Sequence, residues 1–223
     1  MNNDILEYLQ QRDQRLGLVI RRIGHFNFNV HNDPFSFLAS EIVGQMLSDK
    51  VRKVIESRLL SLCNGQLTVD SLLKIDVESI KGTGLSTAKA LYIVNLAHLI
   101  KNNEIDFSRI SELEDNEAIN ELTKIRGIGV WTAKMFLIFF LGRENVLPYE
   151  DGAFLQAYKW LYNAKSLKPS TIKRRCAKWK PYSSIGARYM YRALDLGLTK
   201  IPINDFLYEG TKSKDCVYGS EDA

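Results

Sequence analysis

Two glycines one residue apart, Gly127 and Gly129, and a carboxylate at Asp151 are the residues of this chain whose types and spacing could do chemistry. The glycines interrupt Leu122-Thr-Lys-Ile-Arg-Gly-Ile-Gly-Val-Trp-Thr-Ala-Lys134, which reads as a helix, a tight hairpin and a second helix; the aspartate follows in Pro148-Tyr-Glu-Asp-Gly152. Neither glycine has a Cβ, so the backbone can turn sharply and approach another backbone closely. The helix that starts at once leaves its first N–H groups without intrahelical partners, pointing out of the turn, and this makes an anion site. The anion such a hairpin most often meets is a DNA phosphate. Gly127, Ile128, Gly129, Thr132 and Lys134 are the expected gripping set. A carboxylate beside a gripped backbone suggests chemistry on a nucleotide. It can stabilise positive charge developing on a sugar, or orient a water that attacks it. Asp151 also directly precedes a helix, so an N-cap is its second reading; the two are compatible, because a cap fixes the carboxylate.

The chain carries 30 Lys or Arg against 26 Asp or Glu, a net charge of +4, but the distribution is uneven. Between residues 152 and 194 there is no acid and there are ten bases, among them Lys173, Arg174, Lys178 and Lys180; 20 bases face 26 acids elsewhere. One basic segment on an otherwise acidic body, directly after the hairpin and Asp151, is an electrostatic footprint for nucleic acid, with a solvated helix face as the competing reading.

Gly44-Gln-Met-Leu-Ser48, Ile125-Arg-Gly-Ile-Gly-Val-Trp-Thr-Ala133, Leu147-Pro-Tyr-Glu-Asp151 and Trp179-Lys-Pro-Tyr-Ser-Ser-Ile185 stand in this order. In these segments, and over roughly residues 33–194, the chain resembles the helix-hairpin-helix (HhH-GPD) DNA glycosylases, and within them the 3-methyladenine DNA glycosylase II type. The resemblance implies an all-α, two-lobed fold with the active site in the cleft between lobes. The central lobe would span residues 33–150, with the helix-hairpin-helix motif at about 121–141. Residues 1–32 plus 151–223 would form the second lobe, carrying Asp151 and the basic DNA-facing segment. The implied reaction is hydrolysis of the N-glycosidic bond of alkylated bases, of the 3-methyladenine and 7-methylguanine type, in base excision repair. Asp151 would be catalytic, and the partner would be double-stranded DNA containing damaged bases. Strand-cutting members carry a Schiff-base lysine two residues past the second hairpin glycine. Here Trp131 takes that place and Lys134 lies about one helical turn further on, so a monofunctional enzyme without lyase activity is implied. Alternatives are a glycosylase for deaminated or oxidised bases, and a hairpin-bearing DNA-binding module without catalysis.

Alkylated purines are cationic, and an electron-rich ring attracts a cation. Trp131, Trp179, Tyr182 and Tyr189 are the aromatic set for such a base pocket, with core packing as the competing reading for each. Reaching a base in a duplex requires flipping it out, and the resemblance puts the wedge near residues 44–48. Family members usually carry two glutamines here; this chain has Gln45-Met46. Met46 can serve as an apolar wedge, and Val43 and Leu47 are further candidates. The resemblance also offers the carbonyls of Thr123, Ile125 and Ile128 as donors to a monovalent cation, Na+ or K+. No other cofactor is implied, and no four-cysteine cluster follows Asp151, so no iron–sulfur cluster is expected.

The elements that must position these groups read as helices, because apolar residues recur at three- and four-residue spacing. One N-terminal helix is expected, then helices over 35–47, 49–63, 87–101, 107–113, 117–124, 132–141, 153–162, 170–177 and 184–194, with short ones starting near 68 and 77. Asp33 before Pro34, and Ser86, are start signals. Phe26-Asn-Phe-Asn-Val30 alternates and suggests a short extended arm. The polar tail after Glu209 is expected to fray. At 223 residues, 45% hydrophobic and 25% charged, the composition is that of a globular chain with a real core. No apolar run reaches membrane-spanning length, the N-terminus lacks a signal pattern, and Cys63, Cys176 and Cys216 form no disulfide or zinc pattern. A monomeric intracellular protein is expected, cytoplasmic on the nucleoid if prokaryotic, nuclear if eukaryotic, and with no membrane partner.

Overall fold

The computed structural model describes residues 2–27 and 31–206; the end of the expected arm at 28–30 and the tail after Glu209 lie outside them. The described residues are helical and turn-forming, with no strand. The chain divides into two compact units, residues 29–142 and residues 1–28 with 143–223.

The second of these joins the two ends of the chain. It opens with α1 (Asn3–Arg12) and α2 (Gln14–Ile23). Two helices stand where one is expected, because Asp13 leaves helical geometry at φ −139° and ψ 98°. Its carboxylate accepts from the Arg15 and Leu16 amides and so caps α2, while its own N–H closes α1 on the Leu9 carbonyl. The unit resumes with α11 (Gly152–Tyr162), α12 (Pro169–Cys176), a short 3-10 turn at Ala177–Trp179 and α13 (Ser183–Asp195). Leu9, Leu16, Phe154, Tyr158, Trp179 and Tyr189 are fully buried in its core. Trp179 also donates from Nε1 to Asp13 Oδ2 at 2.8 Å. Truncating so enclosed a side chain costs about 3–5 kcal/mol.

The other unit runs α3 (Pro34–Gly44), α4 (Asp49–Leu62), α5 (Val69–Leu72), α6 (Val77–Gly82), α7 (Thr87–Lys101), α8 (Phe107–Glu112), α9 (Asp115–Thr123) and α10 (Val130–Met135). Local chemistry sets the starts. Asp33 accepts from the Ser36 amide with Pro34 in the first turn of α3, and Ser86 accepts from the Lys89 amide at the start of α7. α3 ends at Gly44, short of the expected 47, and the three residues beyond it form a turn. α10 continues into a π-helical segment, Phe136–Phe140, where an ordinary α-helix is expected. There the Leu141 amide reaches back five residues to the Phe136 carbonyl at 2.9 Å, and the rings of Phe136 and Phe140 stack at 4.6 Å. Phe37 of α3 meets both rings at 5.8 Å, which closes the core around the widened turn. No helix among the described residues is long and apolar enough to cross a membrane.

Candidate active site and nucleic-acid interface

Between α9 and α10 the backbone turns through Gly127 at φ 94°. A Cβ there would also lie 2.5 Å from Tyr92 Cγ, so both conformation and space demand glycine. Arg126 stands exposed beside it, its guanidinium 5.8 Å from the Tyr92 ring centroid. Gly129 is the N-cap of α10 and provides no side-chain cap, so the first-turn amides face outward from an exposed backbone.

Side chains in the expected gripping set behave differently. Ile128 is buried, so only its backbone can take part. Thr132 is buried and its Oγ1 accepts from Gln45 Nε2 at 3.2 Å, which turns it from a phosphate contact into an internal anchor. Lys134 is 7% exposed, in a helical stretch whose residues 132–138 are all buried, and is not a surface cation. Trp131, in the first turn of α10, is half-buried.

The wedge candidates separate sharply. Val43 is fully buried in the core, because the last turn of α3 faces inward, and this removes it. Leu47 is half-buried. Met46 is fully exposed and holds φ at 58°, a left-handed conformation rare for a residue with a side chain.

In the unit formed by the chain ends, Asp151 is the N-cap of α11. Its Oδ1 accepts from the Phe154 amide at 2.7 Å, and the residue is 8% exposed. The segment leading to it is stapled to the start of α13. Ser184 Oγ takes the Val146 N–H at 2.8 Å and donates to the Val146 carbonyl at 3.1 Å, while the Ser184 N–H reaches the Glu144 carbonyl at 2.8 Å. Ser183 Oγ adds a bond to Asn145 Oδ1 at 2.9 Å. Lys173 of α12 sits 4.1 Å from the ring centroid of Tyr149, two residues before Asp151. The basic helix and the acid-bearing segment are thus neighbours. Arg174 and Lys180 are exposed, and Lys178 pairs with Asp13 Oδ2 at 3.1 Å.

Of the aromatic set, Trp179 and Tyr189 lie in the core without an open ring face. Trp179 is pinned to Asp13, and Tyr189 donates to the Gly24 carbonyl at 2.9 Å. Each fills space that no base can enter, which removes both from the pocket. Tyr182 is half-buried and meets Tyr8 edge to face at 5.4 Å. The Tyr8 hydroxyl in turn donates to the Lys180 carbonyl, so α1 braces the segment that carries Tyr182.

Asp13, Tyr8, Ser184 and Lys89 have roles that sequence reasoning misses. A signal exists for Lys89: it is the sole charged residue in the first three turns of the largely apolar α7. Among the described residues no cluster of three or more His, Cys, Asp or Glu could hold a metal ion.

The structure thus presents a glycine hairpin with outward-facing amides, an exposed apolar residue on a strained turn and an aspartate locked at a helix start. The family model described as HhH-GPD superfamily base excision DNA repair protein matches residues 39–181, and the chain belongs to that superfamily. Among its relatives, the alkylbase DNA glycosidase-like protein mag2 of Schizosaccharomyces pombe is 26% identical over 194 residues, 83% of this chain and 91% of that protein. DNA-3-methyladenine glycosylase 1 of the same yeast is 28% identical over 202 residues, 85% of this chain and 86% of that protein. The crystal structure of DNA-3-methyladenine glycosidase from Bacillus halodurans is similar at a TM-score of 0.78 and 28% identity, over 93% of this chain and 97% of that one.

Proposed function

We propose that this chain is a monofunctional DNA glycosylase that hydrolyses the N-glycosidic bond of alkylated bases in double-stranded DNA and leaves an abasic site. The observation that carries the reading is the fixed carboxylate of Asp151, bound through Oδ1 to the Phe154 amide in a chain with Trp131 where a Schiff-base lysine would stand. Departure of the base builds positive charge on the sugar, and a pre-oriented carboxylate stabilises that charge without having to reorganise. Water then completes the substitution. A base already cationic from alkylation is a good leaving group, so little acid catalysis is required. An electron-rich ring attracts such a cation, and the half-buried Trp131 and Tyr182 are each candidates for that contact. Met46 fills the stack as the base leaves it. The hairpin amides hold a phosphate, and Arg174, Lys180 and Lys173 add attraction to the backbone.

The carbonyls of Thr123, Ile125 and Ile128 suit a monovalent cation that would tighten the hairpin. Thr123 stands in the last turn of α9, where the helix dipole is negative, and Ile125 O keeps a second lone pair beside the 3.0 Å bond it accepts from the Ile128 amide. Action as a monomer on DNA inside the cell completes the reading. Release of 3-methyladenine and 7-methylguanine from methylated duplex is the direct test. The same assay on deaminated and oxidised duplexes separates the substrate classes, and no release from any of them sinks the enzymatic reading.

A further inference from the structure

The turn that carries Met46 is held from two sides. From α7, Lys89 Nζ donates to the Val43 carbonyl at 2.9 Å and to the Gln45 carbonyl at 2.6 Å. These oxygens close α3, where carbonyls lack intrahelical partners and the helix dipole is negative, so a cation is the suitable cap. From the turn itself, Gln45 Nε2 donates to the Gly127 carbonyl at 2.9 Å and to Thr132 Oγ1 at 3.2 Å. Those two acceptors are the hairpin and the first turn of α10. Behind the turn, Arg52 packs so closely on Gly44 that a Cβ there would lie 2.9 Å from its guanidinium, and Arg52 is itself fixed by Glu41 at 2.9 Å and Glu56 at 2.8 Å. Between these anchors Met46 keeps its left-handed backbone, a strained conformation that persists only where the surroundings impose it.

We propose that Lys89 is a positioning residue that, together with Gln45, locks the Met46 turn to the hairpin, so that the intruding side chain is held rigid and in register with the phosphate grip. This rests on the reading of Met46 as the wedge. Two of the Lys89 donors are spent on carbonyls, so its role is to shape the turn and not to bind phosphate. An unlocked turn would let Met46 relax from its strained geometry, and the base would be flipped less often while the duplex is still bound.

The experiment is a double-mutant cycle of Lys89→Met and Met46→Ala. Base eversion is read from 2-aminopurine fluorescence beside a 7-methylguanine target, excision in single turnovers, and affinity for undamaged duplex across a salt series. Lys89→Met is expected to lower eversion and excision about tenfold, the order expected for removing charge-assisted hydrogen bonds, with affinity and salt slope unchanged. In the Met46→Ala background it should have no further effect. Lys89→Arg, which keeps a cation able to reach the two carbonyls, should recover much of the loss. Equal effects of Lys89→Met with and without the Met46 side chain, or a flattened salt slope, overturn the lock. Should Lys89→Met fail to fold, Gln45→Leu tests the same lock from the hairpin side in the same cycle, with the same expected and overturning results. A Met46→Ala enzyme that flips and excises like the parent defeats the wedge reading itself; a defective Met46→Ala beside a normal Lys89→Met defeats only the lock.

Discussion

An aspartate that caps a helix is oriented by that helix, and the bond that stabilises the element also aims the carboxylate. Asp151→Asn keeps the size and the capping ability, since Asn and Asp are comparable N-caps, and removes only the charge. Excision in single turnovers is therefore expected to fall about a hundredfold or more, with the melting temperature and the affinity for duplex nearly unchanged. Near-normal excision by the variant would remove Asp151 from the mechanism. Trp131 and Lys134 make a second test at this scale. The indole occupies the Schiff-base position and Lys134 is buried, so borohydride should trap no covalent protein–DNA product. Efficient trapping that vanishes in Lys134→Ala would place the chain among the strand-cutting enzymes.

At the scale of elements, the proposed function has the hairpin and the basic helix meeting DNA in different ways. Gly127→Ala puts a Cβ into Tyr92 and forces a positive φ on a residue that resists it. It should lower thermal stability and weaken binding to damaged and undamaged duplex alike, as measured by melting and by fluorescence anisotropy. In α12 and the turn after it, Lys178 is committed to Asp13 and Lys173 to Tyr149, while Arg174 and Lys180 stand exposed. Each phosphate that is no longer neutralised should flatten the salt dependence of binding by about one unit. Arg174→Ala and Lys180→Ala should show this more than Lys178→Ala, with lesion preference unchanged because phosphates carry no base identity. A salt slope untouched by all of these changes would make the segment a solvated face.

For the molecule as a whole, the unit built from both chain ends depends on a buried charge. Burial raises the Asp13 pKa, but hydrogen bonds from Tyr162, Trp179 and Lys178 outweigh it and leave the carboxyl below its ordinary value. The folded state then binds the proton less readily than the unfolded one. The associated stability is fully present above the ordinary aspartate range, near pH 4, and is lost as pH falls through and below it. Urea unfolding between pH 7 and pH 3 should show that decline, part of it traceable to this group. Asp13→Asn should lower stability at neutral pH and flatten the decline; an unchanged slope would mean that other carboxylates account for it. Burial also pushes the Cys176 thiol up to about 12, so this cysteine should react with thiol reagents only after unfolding.

Local signals were readable in the chain itself. Glycine spacing at 127 and 129, the caps at Asp33, Ser86 and Asp151, the acid-free stretch and the three- and four-residue apolar spacing all act within a few residues, so an all-helical chain with a hairpin and a capped carboxylate follows from sequence. Which side of each helix is covered depends on partners far along the chain. Tertiary packing therefore decided that Val43, Trp179 and Tyr189 are core, that Lys134 and Thr132 turn inward, and that Met46 stands out into solvent. It also decided that α1 stops at Asp13, because the partners that hold that carboxylate, Tyr162, Lys178 and Trp179, come from the opposite end of the chain. The same holds for the pairing of Lys89 with the end of α3 and of Gln45 with the hairpin. Interactions of this range leave no periodicity or spacing behind, because their specificity lies in how helices pack and not in the order of neighbouring residues.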